Sequence, residues 1–290
     1  MSKKLRVGEL FAGIGGIGLG LERTGGFEVV WQVENNDYAT KVLEKNWPDV
    51  TRHDDVRTFP PEKGEWDVDL ITAGFPCQDI SLAGKGKGLD GKRSGLFYEV
   101  VRIVDRLRPA AVLLENVSAL LTRGLDSVLG EMASLGYDAE WHCIPAASVG
   151  APHRRDRIYI MAYANDSGGG ASKCKANKDG SSAVKGREEQ PQSKPSRQCK
   201  DMAYPAGIGQ QKQGASRDGL CKEASITREA VVAFNGRIRN QWESEPDVGR
   251  VANGVPRRMD RLKCLGNAVV PQVVQLLGEM MLTRLEAEGE

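Results

Sequence analysis

Short apolar runs alternate with amphipathic stretches along the first 163 residues of the chain. Strands are expected where the pattern is apolar or alternating, over residues 5–11, 28–33, 68–73 and 110–114. Helices are expected where apolar side chains recur every three to four positions, from about residue 19, over 96–107 and over 125–135. Strands and helices that take turns along a chain are typical of an α/β fold, in which helices cover both faces of a mostly parallel sheet.

The pattern changes twice in the second half of the chain. Residues 137–144 and 158–162 still predict a pair of strands, but residues 165 to about 225 are rich in Gly, Ser, Lys and Gln without apolar periodicity. Helical spacing returns over 269–285, where Pro271 suits a first helical turn and the apolar side can pack on the first half. The predicted division is a first domain over 1–163, a second over 164–248, and a return to the first over 249–290.

Composition and charge narrow the classes of protein only slightly. The net charge is +1, yet residues 164–241 hold 14 Lys and Arg against 8 Asp and Glu. A local basic excess is a weak indication of a polyanionic partner such as nucleic acid. The six cysteines form no Cys-x-x-Cys pair and no His completes a zinc site, so neither disulfides nor a metal are expected. No apolar run approaches the ~18 residues of a membrane span, and we expect a cytoplasmic protein.

A glycine-rich turn follows the first predicted strand. Gly13, Gly15 and Gly18 satisfy the pattern Gly-x-Gly-x-x-Gly, and Glu34 ends the next strand about 20 residues later. Strand, glycine turn and helix open a nucleotide-binding α/β unit, and a carboxylate at that strand end suits a ribose diol. This fingerprint by itself leaves an NAD-dependent oxidoreductase open.

A cysteine follows the apolar run 68–73. The turn Gly74-Phe75-Pro76-Cys77-Gln78 places the Cys77 thiol at the carboxyl edge of a parallel sheet, where such folds bind their ligands. Pro76 stiffens this turn, and nearby cations lower the pKa of a thiol. We therefore expect Cys77 to be a nucleophile. The alternative is that Cys77 is a buried small hydrophobic residue, as most cysteines after strands are.

The stretch 81–95 combines five glycines with four cations directly behind Cys77. Such a segment is expected to move and to attract phosphate, and we predict that it closes over the site as a lid. An ordinary solvated loop is the alternative. The residues expected to contact nucleic acid here are Gln78, Ser81, Lys85, Lys87 and Arg93.

Two further groups of charged residues stand at predicted strand ends. Glu115 follows the apolar run 110–114, where a carboxylate rarely serves packing, so we expect it to be functional. Arg155 and Arg157 alternate toward one face if a strand begins there, which would aim both guanidinium groups at one ligand. A surface pair of arginines is the alternative.

Three short motifs occur in order along the chain: Phe75-Pro76-Cys77-Gln78, Glu115-Asn116-Val117 and Gly266-Asn267-Ala268-Val269-Val270. Together they resemble the cytosine-5 DNA methyltransferases of bacteria and phages, over about the first 163 and the last 40 residues. The resemblance implies a Rossmann-like methyltransferase fold, with S-adenosylmethionine as cofactor and S-adenosylhomocysteine as product. It also implies that residues 164–248 form a small target-recognition domain. His153 departs from the family pattern, which has glutamine at that position.

The resemblance further implies a role for individual residues. The catalytic residues would be Cys77, Glu115, Arg155 and Arg157. In the cofactor site, Phe11 would lie against the adenine and Glu34 would bind the ribose hydroxyls. Asp55 would accept from the adenine amino group, with Asp54 as an equally good register. The other residues implied in cofactor binding are Gly13, Gly15, Gly16, Asn35, Val56, Pro76, Asn267 and Ala268.

The implied reaction is methyl transfer to C5 of cytosine in a specific sequence of duplex DNA. The Cys77 thiolate would attack C6, Glu115 would support N3, and the target base would be flipped out of the duplex. Three other functions stay open: a transfer RNA methyltransferase, an NAD-dependent oxidoreductase, and a DNA-binding protein without catalysis. We expect a nucleoid-associated monomer without a membrane partner, active in restriction-modification without physical need for a cognate restriction endonuclease.

Overall fold

The computed structural model describes residues 3–62, 64–76, 95–165, 231, 234 and 257–287. These residues form one sheet of seven strands: β1 (Leu5–Leu10), β2 (Phe27–Val33), β3 (Thr51–His53), β4 (Leu70–Ala73), β5 (Ala111–Val117), β6 (Tyr137–Pro145) and β7 (Asp156–Ala164). The strand order is β3-β2-β1-β4-β5-β7-β6. Strands β1 to β5 are parallel, whereas β7 pairs antiparallel with both β5 and β6.

The helices of the described residues are α1 (Gly16–Glu22), α2 (Asp37–Asn46), α3 (Gly95–Leu107), α4 (Leu120–Arg123), α5 (Leu125–Ser134), α6 (Arg258–Asn267) and α7 (Pro271–Ala287). A short 3-10 helix, Ala146–Val149, joins β6 to the turn before β7. None of these helices has both the length and the apolar character needed to cross a membrane.

The predicted α/β fold with a mostly parallel sheet is confirmed. The strongly patterned segments are present close to their predicted bounds, and β6 pairs with β7 as expected. Helix α1 begins earlier than expected, because Gly15 at φ 80 forms its N-cap. Helix α2 had no counterpart among the predicted elements. It buries only Ala39 and Leu43, and its start depends on the Asn36 side chain, which accepts from the Tyr38 and Ala39 amides.

Strand β5 is buried on both faces of the sheet, which is the reason that its sequence is a continuous apolar run. Val112 and Leu114 pack on one face of the sheet with residues of α3 and α5, while Ala111 and Leu113 pack on the other face. All four side chains are fully buried. Each large aliphatic side chain buried in this way stabilises the fold by roughly 1.5–3 kcal/mol, so both faces of the strand favour apolar residues.

The C-terminal helix α7 packs on α1, as its apolar pattern predicted. Glycine allows a close approach on both helices: a Cβ on Gly20 would lie 2.5 Å from the Pro271 carbonyl oxygen, and one on Gly278 would lie 3.0 Å from Thr24 Cγ2. Pro271 is the first residue of α7, where its missing amide hydrogen costs no helical hydrogen bond. The end of the chain thus returns to the helix that follows β1.

Candidate active site

A cavity of about 460 Å3 lies at the carboxyl ends of β1, β2, β4 and β5. Its walls come from the loops that follow these strands and from the junction between α6 and α7. Strand β1 has β2 on one side and β4 on the other, so the chain changes direction across the sheet at this point. In open α/β sheets ligands bind at such a switch point, outside the strand ends.

The glycine turn after β1 forms one wall of the cavity. Gly13 has φ +58, and no atom lies within 4 Å of the position that a Cβ would occupy there. Gly15 has φ +80 and faces away from the cavity, since a Cβ would lie 2.4 Å from the Trp47 ring. Phe11 also lines the cavity and has a left-handed backbone, with φ 56. Backbone conformations of this kind concentrate at ligand sites.

Glu34 connects the end of β2 to this turn. Its Oε2 accepts a hydrogen bond from the Gly13 amide at 2.7 Å, and its Oε1 accepts from the Asn36 amide at 2.8 Å. Glu34 and Asn35 both line the cavity. The carboxylate therefore stands beside the open face of Gly13, and each oxygen keeps a second lone pair for a further donor.

Glu115, near the carboxyl end of β5, is 8% exposed. Arg157 Nε on β7 lies 3.0 Å from Glu115 Oε1 in an ion pair. Burial raises the pKa of Glu115 to about 7, against the opposing charges of Arg157 and Arg155. Glu115 Oε2 lies only 3.3 Å from the position of a Cβ on Gly74, so the glycine leaves room for the carboxyl group. At neutral pH this group can either donate or accept a proton.

Asn116 holds the turn that leads to Cys77. Its Nδ2 donates to the Phe75 carbonyl oxygen at 3.1 Å, while its Oδ1 accepts from the Val117 amide at 2.8 Å. The backbone that precedes Pro76 is thereby attached to the end of β5, beside Glu115.

The structure brings ten of the predicted site residues together around the cavity: Phe11, Gly13, Gly16, Glu34, Asn35, Pro76, Glu115, Arg157, Asn267 and Ala268. Four predicted residues do not line it: Gly15, Asp55, Val56 and Arg155. The remaining predicted residues lie outside the described residues: Cys77, Gln78, Ser81, Lys85, Lys87 and Arg93.

Both carboxylate oxygens of Asp55 accept hydrogen bonds from Arg57. Arg57 donates through Nε to Asp55 Oδ1 at 2.9 Å and through Nη2 to Oδ2 at 2.6 Å, and these bonds hold the pKa of the carboxyl below its usual range. Val56 is buried in the core. Asp54, the alternative register, lines an adjoining cavity of about 350 Å3 together with Glu34 and Asn35. Asp54 Oδ1 also lies 3.7 Å from His53 Nε2. Asp54 thus shares a cavity lining with Glu34, whereas Asp55 lines neither cavity.

Arg155 does not share a face of a strand with Arg157. Strand β7 begins at Asp156, and Arg155 before it has φ 40, so the alternation expected from the sequence does not extend to Arg155. Its Nη2 donates to the Gly266 carbonyl oxygen at 2.6 Å and also to the Ala268 carbonyl oxygen. The two guanidinium groups thus have different partners in the structure.

Sequence reasoning missed several residues near the cavity. Lys263 and Cys264 of α6 line it, and their position shortly before the Gly266 motif was the available signal. Glu9 lies beneath the glycine turn, where it accepts from the Gly18 amide and from Gln32 Nε2, each at 2.7 Å. A carboxylate inside an apolar strand was the signal for Glu9.

Known structures have the same fold. A crystal structure of Spodoptera frugiperda DNMT2 with three substitutions aligns with a TM-score of 0.58 at 18% identity, covering 96% of this chain and 100% of that chain. Entamoeba histolytica methyltransferase EhMeth aligns with a TM-score of 0.50 at 21% identity, over 57% of this chain and 54% of that chain. The fold is that of the α/β methyltransferases. Residues 5–243 match the C-5 cytosine-specific DNA methylase family, and the chain belongs to that family.

Two Type II methyltransferases are similar to this chain over about half of its length. Type II methyltransferase M.CviJI from a Paramecium bursaria Chlorella virus is 42% identical over 159 residues, which are 54% of this chain and 43% of that protein. Type II methyltransferase M.HhaI from Haemophilus parahaemolyticus is 37% identical over 166 residues, or 56% of this chain and 50% of that protein. The match therefore spans about half the length of these relatives, or somewhat less.

Proposed function

We propose that the chain transfers the methyl group of S-adenosylmethionine to C5 of cytosine in a specific sequence of duplex DNA. Membership of the C-5 cytosine-specific DNA methylase family supports this function. The observation that carries it is the buried Glu115 carboxyl, held by Arg157 at 3.0 Å in the cavity, next to the turn that leads to Cys77. A family relative that methylates transfer RNA would share this chemistry, so the nucleic acid must be tested directly.

The residues around the cavity fit S-adenosylmethionine. The open face of Gly13 admits a ligand close to the backbone, and the free lone pairs of the Glu34 carboxylate suit the two hydroxyls of a ribose. Phe11 and Asn267 would complete the binding surface, and Asp54, which lines a cavity together with Glu34, would accept from the adenine amino group. When bound, the cofactor supplies an electrophilic methyl group.

Cytosine C5 is a weak nucleophile, so the chain must activate the ring. In the proposed mechanism the Cys77 thiolate forms a bond to C6, which pushes electron density onto C5. Glu115 donates a proton to N3 and so offsets the negative charge that develops on the ring. Its pKa, raised by burial to about 7, keeps the protonated carboxyl available at neutral pH. Once C5 carries the methyl group, C5 gives its proton to a base and the C6–S bond breaks to release the thiolate. N3 then returns its proton to the Glu115 carboxylate, which restores both the neutral ring and the acid.

Arg157 has two functions in this proposal. Its ion pair fixes the orientation of the Glu115 carboxyl, and its charge limits the rise of the carboxyl pKa that burial causes. Without Arg157, burial would act unopposed by this charge and the carboxyl would give up its proton less readily. Neither C6 nor N3 is accessible to these groups in a stacked duplex, so the target base is flipped into the cavity.

The other parts of the proposal concern the DNA. Residues 164–248 form the target-recognition domain, and the cations Lys85, Lys87 and Arg93 contact the phosphates. Their basic charge makes duplex binding weaken as salt concentration rises. The relatives' names support a Type II modification enzyme. We propose that it acts as a cytoplasmic monomer close to the nucleoid and needs no bound restriction endonuclease.

The test uses Cys77→Ser and a duplex that carries 5-fluorocytosine at the target position. A serine hydroxyl is a far weaker acid than a thiol of pKa about 8.5, so methyl transfer should collapse while cofactor and DNA binding survive. The native chain cannot remove fluorine from C5 and should stay linked to the duplex in denaturing electrophoresis, whereas the variant should not. Bisulfite sequencing of DNA from expressing cells first identifies the target.

Two results would contradict the mechanism. If Cys77→Ser methylates at a rate near that of the native chain, the thiolate is not the nucleophile. If the fluorinated duplex traps both proteins equally, the link does not form through Cys77. Methylation of transfer RNA in place of duplex DNA would instead overturn the substrate while keeping the chemistry.

A further inference from the structure

We infer that Arg155 is a positioning residue, which holds the α6–α7 wall of the cofactor cavity against the start of β7 and does not contact the target base. This inference rests on the proposed function, since it assigns the residues that shape the cofactor site. The family motif and the sequence spacing placed Arg155 beside Arg157 in catalysis, whereas their contacts differ.

The three arginines at the start of β7 have separate partners. Arg154 Nη2 lies 3.0 Å from Asp156 Oδ2 in an ion pair. Arg157 Nε lies 3.0 Å from Glu115 Oε1, inside the cavity. Arg155 Nη2 donates to carbonyl oxygens more than a hundred residues further along the chain, those of Gly266 and Ala268. Arg155 thereby links the start of β7 to the junction between α6 and α7.

The backbone of Arg155 explains why its side chain departs from that of Arg157. Residues i and i+2 of a strand share a face only while both are extended. Arg155 has φ 40, a left-handed conformation that a non-glycine residue rarely adopts. Because of this left-handed conformation, Arg155 is not part of β7, which begins at the next residue. The Arg155 side chain lies against the α6–α7 junction.

The carbonyl groups that Arg155 contacts are those that a helix leaves unpaired. Gly266 belongs to the last turn of α6 and Ala268 is its C-cap residue. The last four carbonyl groups of a helix have no partner within the helix, and an arginine near its end can satisfy them. A guanidinium group has several donors in a rigid plane, so one side chain can serve two carbonyl groups.

Helix α6 has little else to hold it in the described part of the chain. None of its residues is buried there, and three apolar side chains on it are largely exposed: Met259, Leu262 and Leu265. Just beyond the helix, Val269 packs against the glycine turn, since a Cβ on Gly16 would lie 3.0 Å from Val269 Cγ2. The junction is therefore held against the glycine turn on one side and by Arg155 on the other.

The cavity wall depends on this junction. Lys263, Cys264, Asn267, Ala268 and Val269 line the cavity, and they all come from α6 or from the residues that follow it. Loss of the Arg155 contacts should let this wall move away, while Glu115 and Arg157 stay in place on β5 and β7. Cofactor affinity should then fall. The chemical step should change by no more than a few fold, because loss of the Arg155 charge raises the Glu115 pKa but leaves the Arg157 ion pair in place.

The test compares Arg155→Ala with Arg154→Ala, a matched control that removes the neighbouring arginine. Calorimetry without DNA should show that Arg155→Ala weakens S-adenosylmethionine binding by about tenfold to hundredfold, as expected for lost hydrogen bonds from a charged group. At saturating cofactor, kcat and the rate of trapping by 5-fluorocytosine should stay within about threefold of the native values. Arg154→Ala should change none of these. Arg155→Gln, which keeps one amide donor, should recover part of the affinity.

The outcomes separate the two possible roles of Arg155. Unchanged cofactor affinity in Arg155→Ala, with kcat and trapping strongly reduced, would place Arg155 on the target base and overturn the inference. Unchanged values throughout would also overturn it. If Arg155→Ala fails to fold, Arg155→Gln decides by the same measurements. A native chain that binds no S-adenosylmethionine would refute the proposed function itself, whatever the variants do.

Discussion

Replacement of Glu9 by glutamine should change how the stability of the fold depends on pH. The Glu9 side chain is 1% exposed on β1, and its oxygens accept from the Gly18 amide and from Gln32 Nε2. Burial raises the pKa of Glu9 to about 7 from its ordinary value of 4.5, although both hydrogen bonds act to lower it. The charge of Glu22 also raises it.

The sign and size of the effect follow from these two pKa values. Between about pH 4.5 and 7 the folded chain keeps a proton on Glu9 that the unfolded chain releases. The contribution of Glu9 to stability is therefore fully present below pH 4.5 and is lost as the pH rises through 7. At about 1.4 kcal/mol for each pH unit, the loss is about 3 kcal/mol.

A glutamine at this position can keep the hydrogen bonds without titrating. Its carbonyl oxygen can accept from the Gly18 amide, and its NH2 group can donate to Gln32 Oε1 once the Gln32 amide has turned over. In the described structure Gln32 Oε1 is buried and has no hydrogen-bond partner. The free energy of unfolding of Glu9→Gln, relative to the native chain, should therefore increase by about 3 kcal/mol between pH 4.5 and 8.5.

Urea unfolding followed by circular dichroism at a series of pH values measures this difference. Other titrating groups, Glu115 included, are present in both proteins and cancel in the comparison. Glu28→Gln, which removes an exposed carboxylate from the neighbouring strand β2, controls for the loss of one charge. Parallel stability curves for Glu9→Gln and the native chain would refute the reasoning, because Glu9 would then titrate alike in the folded and unfolded states.

Two further predictions concern the cavity. Glu34→Ala should weaken cofactor binding by about 1–3 kcal/mol, because it leaves partner groups unpaired, while duplex binding changes little. Unchanged cofactor affinity in calorimetry would remove Glu34 from the site. Glu115→Gln should lower kcat by about 10²–10⁴-fold at pH 7. Since Glu115 with a pKa of about 7 loses its proton above neutrality, the ratio of native to variant rate should fall as the pH rises. A ratio that is independent of pH would show that Glu115 donates no proton.

Several features of the site could be predicted from the sequence because their signals are local. The run before Cys77 and the run before Glu115 are apolar throughout, as strands buried on both faces must be, and β4 and β5 are present there. Since parallel strands end at one edge, residues that follow them come together, and Glu34 and Glu115 do line one cavity. Periodicity also predicted the C-terminal helix α7, whose bounds differ by only two residues at each end.

The choice between neighbouring residues depended on the tertiary structure. Asp54 and Asp55 are equally good candidates for the cofactor site in the sequence. In the structure Arg57 donates a hydrogen bond to Asp55, whereas Asp54 lines a cavity. Arg155 and Arg157 are two residues apart, like residues on one face of a strand. Arg155 has a left-handed backbone, however, and β7 begins only at the residue after it. Spacing along the chain cannot reveal a change of backbone direction at one residue.

The sequence by itself determined the fold class, the strongly patterned strands and helices, and which strand ends carry charged side chains, because apolar periodicity and turn residues act over a few positions. Only the tertiary structure decided which of these side chains meet and how they ionise. The pKa values of Glu9 and Glu115 are raised by burial in the folded chain. The partners of Arg155 lie more than a hundred residues away. Burial and long-range contacts arise from packing, and the local pattern of residues does not contain them.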